Sequence, residues 1–223
     1  MEKINAIIVA SEITRGMKSI GPKSLLKVKK TLSIVEYQIL ELKKHYPGIN
    51  VTVSVGFESE KMIKVLEKYK VNILHNEDFV SSNQVKAILD YVKEYDETNL
   101  LVIHSGVLFK QKFGILNNRS PSCLYMLDKH KVNFNIGCNG LSEMSYLFFD
   151  LPEKWSECVF FDQQTIRNIM DLSKKREIKQ LYTFELINML IEVGQHFSRT
   201  TIKKNNIMKV SNIKDLPRAK VFI

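Results

Sequence analysis

The hydrophobic pattern of the first half of the chain alternates between short apolar runs and helical spacing. Short continuous apolar runs predict buried strands, whereas apolar residues three and four positions apart predict amphipathic helices. The predicted strands are 4–10, 25–28, 51–55, 71–74 and 100–103, and the predicted helices are 58–69, 82–92 and one that begins at about residue 34. Repeated strand–helix–strand units of this kind predict an α/β fold: a mixed, mostly parallel, Rossmann-like sheet with helices on both faces.

The helix near residue 34 carries its own boundary signals. Ser33 stands at its start and Glu36 follows three residues later, which is the spacing of a capping box. Pro47 and Gly48 predict its end. Ligands of such sheets bind at the carboxyl ends of the strands, so the functional loops are expected after Ala10 and at the corresponding ends of the later strands.

The second half of the chain is less regular. Predicted strands lie at 122–127, 132–137, 146–149, 157–161, 200–203 and 207–210, and predicted helices at 163–173 and 181–193. No linker and no internal repeat separates the halves, so residues 1–223 are interpreted as a single domain with halves 1–110 and 111–223.

Composition narrows the function classes. With 223 residues, 44% of them hydrophobic, the chain has enough apolar surface for one real core. The three cysteines show no metal-binding spacing, and the apolar runs are much shorter than a membrane span. No signal-peptide pattern is visible at the start. We therefore expect no membrane partner, and a cytoplasmic or virion-interior location.

The formal net charge of +9 would attract anions in general. Its basic residues are spread along the chain without the interleaved aromatic residues of a single-strand nucleic-acid groove. Nucleic-acid binding is therefore not indicated. It stays open as an alternative that predicts a steep loss of binding with salt.

One segment carries a more specific pattern. Residues 7–28 read IIVASEITRGMKSIGPKSLLKV, and further segments at 32–44, 53–62, 75–88, 100–109 and 208–216 follow in the same order as in one known family. The chain resembles the sugar-phosphate and phosphocholine nucleotidyltransferases, whose signature is a strand, a glycine-rich loop with an arginine, and a Pro-Lys pair. The resemblance covers most of the first 110 residues and a short piece near residue 210.

The resemblance implies a glycosyltransferase-A-like fold of the nucleotide-diphospho-sugar transferase type. It implies that residues 1–110 bind the nucleotide and that 111–223 form the acceptor side. The implied ligands are a nucleoside triphosphate and a small phosphate-bearing acceptor. In the family, a magnesium ion held by two aspartates bridges the phosphates.

Residue by residue, the resemblance places Arg15 and Lys23 at the phosphate-contacting, catalytic positions. The remaining implied nucleotide-binding positions are Ala10, Ser11, Glu12, Thr14, Asn83, Ser105 and Gly106. Because Asn83 stands at the entry to the predicted helix 82–92, helix capping is its alternative role.

Two family features are missing. The metal-binding aspartates fall at Gly106 and Ser211, and Ile13 replaces a loop glycine. Magnesium among phosphates needs about one or two protein carboxylates, and neither position supplies one. We therefore expect no metal site and no bound cofactor, with Mg²⁺ only if the chain is active.

Two hypotheses follow from the missing aspartates. In the first, the chain keeps the fold but has lost metal-dependent catalysis, and serves as a nucleotide-binding protein or as an interaction subunit of a protein assembly. In the second, it is an active transferase that makes a nucleotide-sugar or CDP-choline with relocated ligands. The candidate replacement carboxylates are Glu12, Asp78, Asp162 and Asp215.

Overall fold

The computed structural model describes residues 4–14, 16–95, 99–114, 116–117, 119–127, 136–138, 146–151, 153–175 and 177–223. Its strands are β1 Asn5–Val9, β2 Asn50–Val55, β3 Asn72–His75, β4 Leu100–His104, β5 Val107–Phe109, β6 Cys123–Leu127, β7 Ile136–Cys138, β8 Phe148–Phe149, β9 Glu153–Phe161, β10 Ser198–Ile202 and β11 Ile207–Lys209. Its α-helices are α1 Ile34–His45, α2 Ser59–Leu66, α3 Gln84–Glu94, α4 Gln163–Lys175, α5 Thr183–Glu192 and α6 Leu216–Phe222.

The main sheet runs through both halves of the chain. Its principal strand order is β10-β6-β9-β4-β1-β2-β3. The strands β4, β1, β2 and β3 are parallel, whereas β9 is antiparallel to both β4 and β6. The prediction of a mixed, mostly parallel α/β sheet is confirmed.

Helices cover both faces of this sheet because its central strands are apolar on both sides. In β1, Ile7 and Val9 pack into one hydrophobic cluster together with α3, α4 and α5. Ala6 and Ile8 point the other way and pack with α1 and α2. Such two-sided burial is what a continuous apolar strand predicts.

The first helix begins as its sequence predicts. The backbone N–H and hydroxyl of Ser33 donate to the Glu36 carboxylate at 2.7 and 2.6 Å, which completes the capping box. The helix ends at His45, just before Pro47.

The predicted strand at 25–28 is wrong. Pro22 instead leads into a 3-10 turn over Lys23–Leu25, in which the N–H of Leu25 donates to the Pro22 carbonyl at 2.9 Å. Only a single bridge, between Lys27 and Ser33, follows. The backbone groups of this segment are thus satisfied locally rather than by a sheet.

A small second sheet brings two distant segments together. Strand β5, directly after β4, pairs antiparallel with β11. The N–H of Val210 then donates to the Gly106 carbonyl at 2.8 Å, so Gly106 lies beside the residue that precedes Ser211. Among the described residues, no helix is both long and apolar enough to cross a bilayer.

Candidate functional site

A cavity of about 300 Å³ opens at the carboxyl ends of β1 and β4, where the parallel strands predict a ligand site. Both halves of the chain contribute to it. Its lining residues are Glu12, Lys23, Gln84, His104, Phe149, Trp155, Glu157, Tyr182, Phe184 and Lys209.

Lys23 is the buried cation of this cavity. It is 8% exposed because the 3-10 turn after Pro22 directs it inward, and its Nζ lies 3.9 Å from the Glu12 carboxylate. Glu12 comes directly after Ser11, in the loop that follows β1. The loop after β1 and the Pro-Lys turn therefore meet, as the resemblance implies.

A chain of hydrogen bonds connects Glu12 to His104 at the end of β4. The side-chain amide of Gln84 donates through Nε2 to the Glu12 carboxylate at 3.4 Å, and its Oε1 accepts from the backbone N–H of Thr183 at 3.2 Å. The Thr183 hydroxyl in turn lies 3.0 Å from Nε2 of His104. This network connects α3, α5 and the end of β4 around one cavity.

The second half of the chain adds a carboxylate and an ammonium. Glu157 forms an ion pair with Lys209, and its side chain is 17% exposed. Burial alone raises the pKa of Glu157, but Lys209 and, more weakly, Lys23 hold it below its ordinary value. Glu157 is thus a carboxylate anion in the cavity at neutral pH.

The backbone of Glu157 is strained. Its φ is +63°, a left-handed value that costs a residue with a Cβ about 1–2 kcal/mol. The β6–β9 pairing shifts register here, since Leu124 faces Val159 while Met126 faces Trp155. This bulge places Glu157 against the cavity, and strain of this kind concentrates at functional sites.

His104 is neutral in this setting. It is 4% exposed, and burial lowers its pKa below the ordinary value of 6.5, although Glu157 and Glu12 oppose the change. Its ring lies 6.0 Å from the ring of Trp155. A neutral, hydroxyl-bonded imidazole is suited to orienting its neighbours.

Aromatic side chains form the rim of the cavity. The rings of Phe149 and Phe184 meet edge to face at 5.5 Å, and Tyr182 stacks on Phe184 at 6.1 Å. Phe149 is 60% and Tyr182 48% exposed. Exposed aromatic faces beside a cavity are the usual lining of small-molecule sites.

Several of the predicted site residues lie in or next to the cavity. Glu12 and Lys23 line the cavity. Ser11 and Ser105 are buried at the ends of β1 and β4, and Ala10 is buried beside them. Arg15 lies outside the described residues, so its predicted phosphate contact stays a prediction.

Thr14 and Asn83 have local surroundings that bear on their predicted roles. The Thr14 hydroxyl is buried and has no hydrogen-bond partner among the described residues. Buried polar groups normally have a partner, so this hydroxyl is suited to a hydrogen bond with a ligand. The Asn83 side chain accepts from the N–H of Gln84 at 2.9 Å and caps α3. It is the next residue, Gln84, that lines the cavity.

Gly16 and Gly21 supply the left-handed conformations of the loop after β1, with φ of +75° and +101°. Ile13 is not among the described non-glycine residues that have a positive φ. The loop therefore turns at shifted glycine positions, and a β-branched residue is accommodated without the strain it would meet in the family pattern.

Comparison of the fold with solved structures finds close matches over nearly the whole chain. The CTP:phosphocholine cytidylyltransferase of Streptococcus pneumoniae superposes with a TM-score of 0.81 at 17% identity, covering 99% of each chain. The nucleoside-diphosphate-sugar pyrophosphorylase of Vibrio cholerae gives 0.75 at 13% identity, covering 97% of this chain and 99% of that one. This chain has the nucleotidyltransferase fold.

The same fold recurs in the inositol-1-phosphate CTP transferase of T. maritima, with a TM-score of 0.74 at 11% identity, covering 100% of this chain and 97% of that one. No protein-family model and no curated protein matches the sequence itself. The predicted resemblance to these transferases is therefore confirmed at the level of fold.

Neither of the two positions at which the resemblance implies a metal ligand carries a carboxylate. A Cβ on Gly106 would collide with the Val210 carbonyl oxygen and would lie 3.2 Å from Nζ of Lys23. Ser211 is exposed and offers a hydroxyl. In the described part of the chain, no three His, Cys, Asp or Glu side chains group as metal ligands.

The candidate replacement carboxylates are mostly engaged elsewhere. Asp162 caps α4 by accepting from the N–H of Thr165 at 2.7 Å, and Asp78 is exposed. Asp215 accepts from the N–H of Ser211 at 2.8 Å. Of the predicted set only Glu12 lines the cavity, and the structure adds Glu157, which sequence reasoning missed.

Proposed function

We propose that this chain binds a nucleotide and a small phosphate-bearing molecule in the cavity, and that it has lost metal-dependent nucleotidyl transfer. The observation that carries the proposal is Gly106. Where the fold's metal ligand would project there is only a backbone, and the Lys23 ammonium occupies the adjoining space. Losing the charge stabilisation of a transferring phosphoryl group commonly costs orders of magnitude in rate.

The neighbours support a nucleotide and a phosphate ester as ligands. Two of the three named above act with CTP, on phosphocholine and on inositol-1-phosphate. CTP is therefore the first nucleotide to examine. The exposed aromatic rim, with Glu157 and Glu12 nearby, suits an acceptor that carries a quaternary ammonium group, as phosphocholine does.

The test combines an activity assay with a binding assay. The protein is incubated with each nucleoside triphosphate, Mg²⁺ or Mn²⁺, and a panel of sugar-1-phosphates, inositol-1-phosphate and phosphocholine, while pyrophosphate is measured. We expect pyrophosphate at the level of the protein-free blank. In parallel, calorimetry with CTP and with phosphocholine is expected to show saturable binding. Sustained pyrophosphate release would overturn the loss of catalysis.

The second candidate function is an active transferase with relocated ligands. It is favoured by one observation, the presence of the Glu12 and Glu157 carboxylates in the same cavity as Lys23. This candidate predicts that Glu12→Gln and Glu157→Gln each abolish a measurable activity, whereas the exposed control Lys30→Gln leaves it unchanged. Absence of activity in the unaltered protein removes this candidate.

A further inference from the structure

The Lys23 side chain is packed against Gly106. A Cβ built on Gly106 would lie 3.2 Å from Nζ and 3.3 Å from Cε of Lys23. Non-bonded carbons at best contact lie about 3.5–4.0 Å apart, so any side chain at position 106 would press on the lysine. The observed position of the Lys23 ammonium group therefore depends on a glycine at position 106.

The backbone of Gly106 cannot move aside to make room. Its carbonyl accepts from the N–H of Val210 at 2.8 Å, and the Val210 carbonyl oxygen closes the other side. This contact directly adjoins the end of the β5–β11 pairing, where Lys209 pairs with Val107. The ammonium group of Lys23 is thus held in the space where the fold's first metal ligand would begin.

Lys23 is weakly compensated. It is 8% exposed, and the nearest carboxylate among the described residues is that of Glu12, whose 3.9 Å separation is too long for a hydrogen bond. Burying an ammonium is costly unless it is paired and hydrogen-bonded. A bound anion whose oxygen atoms accepted hydrogen bonds from Nζ would relieve this cost.

The cavity contains a second ammonium as well. Lys209 also lines it and is paired with Glu157. A divalent cation entering between Lys23 and Lys209 would meet two like charges, and the two carboxylates there already face those ammonium groups. Of the two ammonium groups, Lys23 has the longer contact to a carboxylate, so it is the one available to a phosphate.

We propose that Lys23 supplies the positive charge which a divalent metal supplies in other proteins of this fold, so that the chain binds the metal-free form of a nucleoside di- or triphosphate. This inference rests on the proposed nucleotide binding and adds its metal independence. The phosphate oxygens contact Nζ of Lys23 and take the place of the longer contact to Glu12. Gly106 is the position that makes this arrangement sterically feasible.

The test measures CTP affinity by isothermal titration calorimetry in excess EDTA and in excess Mg²⁺. We expect binding in EDTA at least as tight as in Mg²⁺, because the metal would mask phosphate charge that Lys23 contacts. Lys23→Gln is expected to weaken binding in EDTA by about tenfold or more, since hydrogen bonds to charged groups contribute about 1.5–3 kcal/mol. The exposed control Lys30→Gln removes the same charge and is expected to change affinity less than about twofold.

Glu12→Gln separates this role of Lys23 from a merely structural one. Without the carboxylate, Lys23 has no competing anion and the phosphates meet less repulsion, so binding in EDTA is expected to become tighter. If Glu12 instead held a metal, the same substitution would weaken binding in Mg²⁺. Melting temperatures of all variants check that each is folded.

The possible results distinguish failure of the metal-independent role from failure of the proposed nucleotide binding. Binding that requires Mg²⁺, or that survives Lys23→Gln unchanged in EDTA, overturns the metal-independent role while nucleotide binding stands. If neither CTP nor any other nucleoside triphosphate binds in EDTA or in Mg²⁺, the proposed function and this inference are both overturned.

Discussion

Two glutamates, Glu36 and Glu157, are both held as anions against burial, yet their surroundings differ. The Glu36 side chain is fully buried and receives hydrogen bonds from Ser33, Lys27 and Tyr69, with a further ion pair to Lys68. Glu157 has one ammonium partner, Lys209, a left-handed backbone and an open cavity beside it.

The difference distinguishes a structural carboxylate from a functional candidate. The hydrogen-bond acceptors of the Glu36 carboxylate are used by groups that fix the start of α1, so the carboxylate is not available to a ligand. Glu157 sits on a bulge that is costly to form, and its carboxylate faces a cavity. A fully bonded carboxylate supports the fold, whereas strain beside an open cavity is a reason to expect function.

The largest expected effect comes from Glu36→Ala. It removes the capping box and leaves buried donors of Ser33 without a partner, so the free energy of unfolding is expected to fall by about 3 kcal/mol. Urea denaturation measures it. Glu41→Ala is the matched control on the same helix, because Glu41 takes no part in the capping box and pairs with the exposed Lys44, and it is expected to cost less than about 1 kcal/mol. A loss as small as that of the control would contradict the structural role of Glu36.

The acid limb of stability is the next effect in size. Burial raises the pKa of Glu36, but hydrogen bonds from Lys68 and Ser33 outweigh it and lower the pKa to about 2 from an ordinary 4.5. A depressed carboxyl pKa stabilises the fold above about pH 4.5 and loses that contribution as the pH falls toward 2. Glu36→Gln is expected to remove about 2 kcal/mol of this pH dependence, as measured by urea titrations at several pH values. An unchanged acid limb would show that other carboxylates dominate it.

Backbone strain at Glu157 can be isolated by comparing two substitutions. Both Glu157→Gly and Glu157→Ala remove the carboxylate, but only glycine adopts φ of +63° without a Cβ penalty. The glycine variant is expected to be more stable than the alanine variant by about 1 kcal/mol. Equal thermal stability of the two variants would mean that the bulge relaxes, and the contrast with Glu36 would lose its basis in strain.

The smallest expected effect concerns His104, beside Glu157. Burial lowers the pKa of His104, so the unfolded chain takes up a proton more readily than the folded chain. Stability is therefore lost as the pH falls below 6.5. His104→Asn is expected to reduce this loss by about 0.5–1 kcal/mol between pH 6.5 and 5.5, measured by thermal melting. His75→Asn, which removes an exposed histidine outside the cavity, is the control for the loss of an imidazole.

Local spacing predicted what depends on local structure. Ser33 and Glu36 lie within one turn of helix, so their capping box is visible in the sequence. The apolar run of β1 likewise predicts a strand buried on both faces. The segment 25–28 was apolar enough for a strand, but Pro22 started a 3-10 turn that used its hydrogen bonds locally.

The cavity could be predicted only in part, because half of it depends on pairing between distant segments. Glu12 and Lys23 belong to a continuous motif and were predicted together. Glu157 reaches the cavity through a bulge that arises only when β9 pairs with β6, and no local pattern marks it. The resemblance places Gly106 where the family has a carboxylate, but the packing of Lys23 against it depends on the folded structure.

The pairing of β5 with β11 has a consequence for biosynthesis. The wall behind Lys23 includes Val210, and Lys209 belongs to β11, so a nascent chain that has released β1 to β4 from the ribosome still lacks one side of the pocket. Under the proposed function, the nucleotide can be held only after β11 has paired with β5. Proteolytic removal of the segment from β11 onward is expected to erase binding even where the first five strands persist.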